Sequence, residues 1–265
     1  MDSLFSLEGR LALVTGGSRG VGKMIAQGFI ERGARVTITA RKAAACEAAA
    51  EELSAGGGQC VAIPLDISTV EGARALAAEV IEREGGKLDI LVNNAGAAWA
   101  APFDDFPESG WDKVMNLNVK SPFFLTQALH GALKAAASPE RPAKVINIAS
   151  IDGLALNPLE TYSYHASKAA LIYLTRRVAA RLVGEHILVN AIAPGAFVSD
   201  MNRAARDRPD LVARAIPSGR IGRDDDMAAA AVYLAARSGD YVVGATLVVD
   251  GGVALARLPE VSAAG

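Results

Sequence analysis

Seven short apolar runs punctuate the chain, and stretches with helical spacing separate them. The runs are rich in Val, Ile, Leu and Ala and rarely broken by charge, which is typical of strands buried on both faces. The alternation of strand and helix predicts an α/β fold, a doubly wound parallel sheet with helices on both faces and right-handed crossovers. The predicted strands are Leu11–Val14, Arg35–Ala40, Cys60–Leu65, Ile90–Asn93, Lys144–Ala149, Leu188–Ala193 and Thr246–Asp250.

The first predicted strand runs into a glycine-rich turn, which we call the glycine turn (residues 16–22). Gly16, Gly20 and Gly22 follow the strand, and helical spacing resumes at Met24. Glycine permits positive φ and close approach of the backbone to a ligand, and the free N–H groups of a helix start attract phosphate. The turn therefore predicts a pyrophosphate site. Its spacing, G-x-x-x-G-x-G, differs from the commoner dinucleotide pattern, so an ordinary strand-to-helix turn stays an alternative.

Composition and charge narrow the choice of partners. Lys and Arg total 27 against 29 Asp and Glu, a net charge of -2, so neither nucleic acid nor an anionic membrane is an expected partner. Residues 1–10 lack a basic and an apolar leader region, and no segment carries about 18 consecutive apolar residues. We therefore expect a cytoplasmic protein. Cys46 and Cys60 have no metal-binding spacing, so we expect two reduced thiols and no metal.

Several motifs now occur together in a fixed order. The glycine turn, with its Thr15-Gly-Gly-Ser-Arg-Gly-Val-Gly22 sequence, is followed by Asn93-Asn-Ala-Gly96 and, much later, by Val248-Val-Asp-Gly-Gly252. The chain from about Leu7 to Gly252 thereby resembles the short-chain dehydrogenase/reductase family. The resemblance implies a single NADP-binding Rossmann-type catalytic domain over residues 1–252, with a tail at 253–265.

The position after the second strand bears on the cofactor. An acidic residue there would bind a free ribose 2′-hydroxyl, whereas an arginine suits a 2′-phosphate, and this chain has Ala40 followed by Arg41. We expect NADP(H), with Arg19 closing on the same phosphate; two solvated arginines are the alternative. Without a cofactor role, Asp66 would be an ordinary helix N-cap. The cofactor contacts that the resemblance implies are Gly16, Ser18, Arg19, Gly20, Val21, Gly22, Arg41, Asp66, Ile67, Asn93, Ala95, Gly96, Tyr164, Lys168, Pro194, Gly195, Phe197 and Ser199.

A tyrosine and a lysine four residues apart are the central catalytic candidates. Tyr164 and Lys168 share one face of a predicted helix, and a nearby ammonium favours the ionised phenol, so Lys168 is expected to lower the Tyr164 pKa. Such a pair alone is usually structural. With Ser150 at the end of the fifth strand and Asn118 upstream, the resemblance implies that all four are catalytic, with Asn118 holding a water. Tyr162 has no lysine partner, so we expect a pocket wall there.

The sequence predicts the substrate less closely than it predicts the type of reaction. The predicted pocket is apolar and would be bordered by Trp99, Phe103, Leu154, Leu156, Leu159, Phe197 and Met201, with His165 as a further wall residue. Asp152 either binds a substrate hydroxyl or amine or caps a local turn. The arginines after Ser199 either meet an acidic acyl carrier or form a solvated lid face, and the second interpretation is preferred.

The resemblance implies reversible hydride transfer between NADP(H) and a ketone or secondary alcohol. We expect a small-molecule carbonyl substrate, with a 3-oxoacyl thioester favoured; a polyol, keto-sugar or cyclic alcohol is the alternative. A dinucleotide sensor without catalysis is a second class, which Ser150, Tyr164 and Lys168 argue against. A sugar-nucleotide epimerase is disfavoured by the short remainder after Lys168. Apolar helices over residues 111–137 and 164–183 predict a homo-oligomer, with a tetramer expected.

Overall fold

The computed structural model describes residues 3–256, which form one sheet of seven parallel strands. The strands are β1 (Leu11–Thr15), β2 (Arg35–Thr39), β3 (Gln59–Ala62), β4 (Ile90–Asn93), β5 (Ala143–Ile148), β6 (Ile187–Pro194) and β7 (Thr246–Val249). Their order across the sheet is β3-β2-β1-β4-β5-β6-β7. The predicted α/β class, strand number and parallel sheet are therefore confirmed. The first two residues and 257–265 of the predicted tail lie outside the described residues.

Helices connect the strands and cover both faces of the sheet. They are α1 (Gly20–Glu31), α2 (Ala43–Ser54), α3 (Val70–Arg83), α4 (Glu108–Met115), α5 (Ser121–Ala128), α6 (His130–Ala136), α7 (Tyr162–Leu182), α8 (Arg203–Asp207), α9 (Pro209–Ala213) and α10 (Asp224–Ala235). No helix between residues 3 and 256 is both long and apolar enough to cross a bilayer.

Alternate residues of the central strands pack on opposite faces, which explains why the apolar runs are uninterrupted. In β1, Val14 joins one core cluster with Phe29 of α1 and Val232 of α10. Its neighbour Leu13 joins the other cluster with Leu125 of α5. Because successive side chains of a strand point to opposite faces, both faces need apolar residues when helices cover both.

The structure differs from, or refines, two of the predicted elements for identifiable reasons. The third strand was expected to reach Leu65 but ends at Ala62, since Pro64 has no N–H to donate to a neighbouring strand. The helical region predicted over 111–137 is divided into α4, α5 and α6, and a π-helical turn at Asn116–Lys120 joins the first two. Pro122 in the first turn of α5 removes a helical donor at this point.

Glycine is required at residue 22 by close packing. A Cβ built there would lie 2.3 Å from the Gly16 carbonyl oxygen and 2.4 Å from Asn94 Nδ2. Both groups belong to the turn at the carboxyl edge of the sheet, where β1 and β4 end. The first turn of α1 therefore packs directly against that turn.

We predict that Gly22→Ala destabilises the protein by about 1–3 kcal/mol, because the backbone of the turn must shift to admit the methyl group. Urea unfolding would measure the change. Gly131→Ala is the matched control, since a Cβ on Gly131 in α6 meets nothing within 4 Å. It should stabilise by up to about 1 kcal/mol through helix propensity. Equal effects of the two substitutions would contradict this account.

Candidate active site

A cleft of about 590 Å³ opens at the carboxyl edge of the sheet. Its wall brings together eighteen of the twenty residues predicted for catalysis and cofactor binding: Gly16, Ser18, Arg19, Gly20, Val21, Gly22, Arg41, Asp66, Ile67, Ala95, Gly96, Ser150, Tyr164, Lys168, Pro194, Gly195, Phe197 and Ser199. Asn93 and Asn118 do not line it. Carboxyl ends of parallel strands converge at one edge, so residues far apart in the chain meet there.

The glycine turn presents an uncapped helix start to the cleft. Gly16 adopts φ +65°, and its N–H bonds the Thr39 carbonyl at 2.8 Å. The N-cap of α1 is Arg19, whose side chain makes no capping hydrogen bond, and the first turn carries no acidic residue. The N–H groups in the first turn of α1 therefore have no side-chain cap and are available to an anion, which the positive end of the helix dipole favours.

Asn94, which the sequence interpretation passed over in favour of Asn93, is the asparagine that faces the turn. Its Nδ2 donates to the carbonyls of Thr15 (2.8 Å) and Gly16 (3.1 Å). Asn93 points the other way, donating to Asn147 Oδ1 (2.9 Å) and Thr126 Oγ1 (3.2 Å) in the interior. The side chain of Asn93 thus ties β4 to its neighbours and does not line the cleft, because adjacent residues at a strand end face opposite sides.

Both arginines predicted for the 2′-phosphate stand at the cleft, exposed and already ion-paired. Arg19 pairs with Asp200, which follows β6, and Arg41 lies 4.0 Å from Asp66. Without a cofactor role, Asp66 was expected to be a helix N-cap. Thr69 is the N-cap of α3 instead, since its Oγ1 accepts from the Gly72 N–H at 3.0 Å. Exposed pairs of this kind are worth about 1 kcal/mol or less, so a phosphate competes readily for these arginines.

The residue Asn118 is buried in the π-helical turn, where its amide organises backbone. Oδ1 accepts from the Ala97 N–H at 2.8 Å, and Nδ2 donates to the Ala97 carbonyl (2.9 Å) and to Ser167 Oγ (3.0 Å). Both amide hydrogens are thus in use, which leaves one lone pair of Oδ1 for a further donor such as water. A methyl group built on Gly96 would lie 3.3 Å from Asn118 Oδ1 and 3.8 Å from Lys168 Nζ.

The three remaining catalytic candidates meet where β5 ends and α7 begins. Ser150 Oγ accepts from the Asp152 N–H at 3.1 Å, and the Ser150 side chain interacts with the Tyr164 phenol. Lys168 Nζ donates to the Ile148 carbonyl at 2.8 Å and lies 5.4 Å from the centre of the Tyr164 ring. Gly153 permits this assembly, since a Cβ there would lie 2.7 Å from the Lys168 backbone carbon.

Burial sets the protonation of this group. It raises the pKa of the Tyr164 phenol to about 12, and although the Ser150 hydroxyl opposes the rise, the negative charge of Asp152 adds to it. Burial likewise lowers the pKa of the Lys168 ammonium to about 8. The pKa of Tyr164 is therefore raised, whereas the sequence predicted that it would be lowered, and burial is the largest cause. Tyr164 holds its proton at neutral pH.

The segment after β6, which we call the lid (residues 198–222), lies beside the glycine turn and contributes Ser199, Asp200, Met201 and Asn202 to the cleft wall. Ser199 Cβ lies 3.1 Å from a Cβ position built on Gly20, so the two segments are in contact. Ser199 Oγ accepts from the Asn202 N–H at 3.1 Å. Phe197 is buried and pairs with Gly222 at the base of the lid. Asp200, which the sequence interpretation did not assign to the site, joins Arg19 to Arg206.

The predicted substrate wall is only partly correct. Leu159, Phe197 and Met201 line the cleft. Trp99 instead packs against Gly110, and Phe103 packs edge-on to Tyr162 at 5.6 Å, while Leu156 is 93 % exposed to solvent. The cleft wall does not include four of the residues predicted for it, which are Trp99, Phe103, Leu154 and Leu156.

Tyr162 and His165 were also expected as walls and lie outside the cleft. The Tyr162 hydroxyl donates to Glu160 Oε1 at 2.8 Å, and His165 Nδ1 lies 3.0 Å from the Thr161 carbonyl. Polar residues that the prediction missed, Asn157, Thr161 and Asn202, line the cleft instead. Within residues 3–256, no group of three or more His, Cys, Asp or Glu side chains is placed to hold a metal ion.

Comparison with known proteins agrees with this geometry. Residues 16–254 match a family model described as Enoyl-(Acyl carrier protein) reductase. The rhamnolipids biosynthesis 3-oxoacyl-[acyl-carrier-protein] reductase of Pseudomonas aeruginosa is 51% identical over 95% of this chain and 99% of its own length. A 2-dehydro-3-deoxy-D-gluconate 5-dehydrogenase of Dickeya dadantii is 37% identical over 94% and 96%.

Among solved structures, the Pseudomonas aeruginosa RhlG/NADP active-site complex superposes with a TM-score of 0.92 at 51% identity, covering 96% of this chain and 100% of that one. The likeness spans the sheet, the glycine turn and the Ser150, Tyr164 and Lys168 group together. This chain belongs to the short-chain dehydrogenase/reductase family.

Proposed function

We propose that this protein is an NADP(H)-dependent oxidoreductase that transfers hydride reversibly between the nicotinamide and a ketone or secondary alcohol. We further propose a 3-oxoacyl thioester or another apolar carbonyl compound as its substrate. The observation that carries the proposal is the convergence of Ser150, Tyr164 and Lys168 on the wall of the cleft that also holds the glycine turn. The 51% identity to a 3-oxoacyl-[acyl-carrier-protein] reductase supports the substrate class.

The described residues fit a phosphorylated dinucleotide. The uncapped start of α1 offers N–H groups to a pyrophosphate, and Gly20 and Gly22 allow its close approach. Arg19 and Arg41 supply guanidinium groups for a 2′-phosphate, with no carboxylate at Ala40 to repel it. Lys168 uses one ammonium hydrogen on the Ile148 carbonyl and keeps two for ribose hydroxyls. When bound, the cofactor supplies or accepts the hydride.

The protein's own groups would manage the proton. The phenol of Tyr164, protonated at neutral pH, donates to the oxygen of a carbonyl that is being reduced. Ser150 Oγ accepts the Asp152 N–H, so its own hydrogen is free to bond the same oxygen and stabilise its developing charge. Asn118 holds the backbone after β4 and orients Ser167 of α7, one residue before Lys168. We propose these four as the catalytic residues.

A second candidate function is the oxidation of a polyol, keto-sugar or cyclic alcohol. The Dickeya dadantii relative, named as a sugar-acid dehydrogenase, and the polar cleft residues Asn157, Thr161 and Asn202 favour it. A non-catalytic dinucleotide sensor would have no use for a buried serine, a half-buried tyrosine and a buried lysine on one cleft wall. Turnover of any carbonyl compound separates the enzyme from the sensor.

We also propose a homotetramer and a cytoplasmic location. Tyr173 on α7 is 72 % exposed, and Trp111 on α4 and Phe123 on α5 are also exposed, which is the surface expected of an interface. Cys46 and Cys60 are both free thiols, the state that a reducing compartment maintains.

We predict that Tyr164→Phe lowers kcat by about 10² to 10⁴, because it removes the proton donor, while the Kd for NADPH changes by less than about threefold. Stopped-flow turnover and fluorescence titration would measure the two. Tyr162→Phe is the matched control, since its hydroxyl bonds only Glu160 on the rim. Equal losses from both tyrosines would mean that the proton comes from elsewhere.

The cofactor preference should depend on Arg41. We predict that Arg41→Ala lowers the ratio of kcat/KM for NADPH over NADH by about 10- to 150-fold, the value of one charge-assisted hydrogen bond of roughly 1.5–3 kcal/mol. Arg32→Ala removes an exposed arginine at the other edge of the sheet and should leave the ratio unchanged. An aspartate at Ala40 should reverse the preference. A ratio unmoved by Arg41→Ala would show that the preference arises elsewhere.

Because burial lowers the pKa of Lys168 to about 8, its ammonium is present below that pH and is lost above it. We predict that kcat/KM for NADPH falls as the pH rises through about 8, since the neutral amine binds ribose hydroxyls less well than the ammonium does. Lys168→Arg keeps its charge, so its profile should stay level to pH 10 at a lower plateau. A parent profile that is level to pH 10 would contradict the assignment.

A further inference from the structure

One carboxylate on the cleft wall has no partner. Asp152 is half-buried two residues after Ser150, and within residues 3–256 its side chain accepts no hydrogen bond and forms no ion pair. Only its backbone N–H is engaged, with Ser150 Oγ at 3.1 Å. The local turn is therefore held by the main chain and by the serine, and the carboxylate is not needed as a cap.

Within residues 3–256, no cation of the cleft wall forms an ion pair with Asp152, although its charge attracts the Lys168 ammonium. The cationic residues on the cleft wall are Arg19, Arg41, Lys42 and Lys168. Arg19 and Arg41 are paired with carboxylates at the glycine-turn end, and Lys42 follows β2 at that same end. Lys168 is buried against the Ile148 carbonyl.

The remaining wall around Tyr164 is uncharged or negative. It is formed by Ile151, Asn157, Leu159, Thr161, Met201 and Asn202, together with Asp152. The charge of Asp152 acts on the reacting groups. It adds to the rise in the pKa of Tyr164 that burial causes, and it raises the pKa of Lys168 against the larger, opposite effect of burial. Asp152 therefore adds a negative charge to the cleft wall that also holds Ser150 and Tyr164.

We propose that Asp152 is a specificity-determining residue that restricts this site to substrates without a negative charge near the reacting carbonyl. The inference rests on the proposed oxidoreductase function and narrows its substrate class. A keto-acid would bring its carboxylate toward a carboxylate that has no ion-pair partner, in a partly desolvated cleft where repulsion is stronger than in water. A neutral thioester, amide or ketone meets no such repulsion, and a donor on it gains an acceptor.

The test is Asp152→Asn, which keeps the side-chain size and the backbone N–H and removes the charge. With NADPH as cofactor, kcat/KM is measured for acetoacetate and for its neutral N-acetylcysteamine thioester. We expect the ratio of anion to neutral substrate to rise about tenfold in Asp152→Asn, because the neutral substrate loses little. Glu82→Gln is the control, since it removes one exposed, unpaired charge on α3 and should leave the ratio unchanged.

Binding gives a second readout that needs no turnover. In the presence of NADPH, which cannot oxidise an alcohol, calorimetry compares 3-hydroxybutanoate with 3-hydroxybutanamide in the parent, in Asp152→Asn and in Asp152→Ser. Both variants should tighten the anion about tenfold and change the amide by less than about threefold. A ratio within twofold of the parent in kinetics and binding overturns the inference and leaves the oxidoreductase assignment intact. A parent that reduces neither substrate overturns the proposed substrate class, and calorimetry alone then decides on Asp152.

Discussion

Side-chain amides at the carboxyl edge of the sheet are the constraint on which this site depends. The strands diverge there, and backbone groups that leave the ladder need other partners. Asn94 supplies them to Thr15 and Gly16, and Asn118 supplies them to Ala97. Below them, Asn93 and Asn147 bond to each other, and Asn147 continues to Thr175 of α7 at 2.9 Å. The turn, two central strands and the catalytic helix are thereby held in one arrangement.

Two opposing effects act on Tyr164, and their balance decides its state. A cation four residues away favours the phenolate, but Lys168 directs its ammonium to a backbone carbonyl, while burial of the phenol favours the neutral form. A rise of the pKa from 10.0 to about 12 corresponds to roughly 3 kcal/mol in favour of the protonated phenol. The phenol therefore keeps its proton at neutral pH in the structure as described.

Local patterns predicted the fold and most of the site. Uninterrupted apolar runs located the strands, and the four-residue interval placed Tyr164 and Lys168 on one helix face. Predictions failed where the outcome depends on which way a side chain turns or on contacts between distant segments. Asn93 and Asn94 are chemically identical neighbours, and only the sheet decides which one faces the turn. Arg19 and Asp200 meet across 181 residues, a pairing with no local signal.

The sheet order has a consequence for how the chain folds. Strands β1 and β4 are neighbours in the centre of the sheet, and the contact from the Asn94 N–H to Thr15 Oγ1 joins residues 79 apart. Each pair of parallel strands is joined by a crossover connection. The entropy cost of closing that connection comes before the strands gain contacts, so such chains fold slowly. The two walls of the cleft belong to opposite sides of this central junction. Both walls are in place only when this junction is formed, so a dinucleotide recognises only the assembled sheet and draws the folding equilibrium toward it.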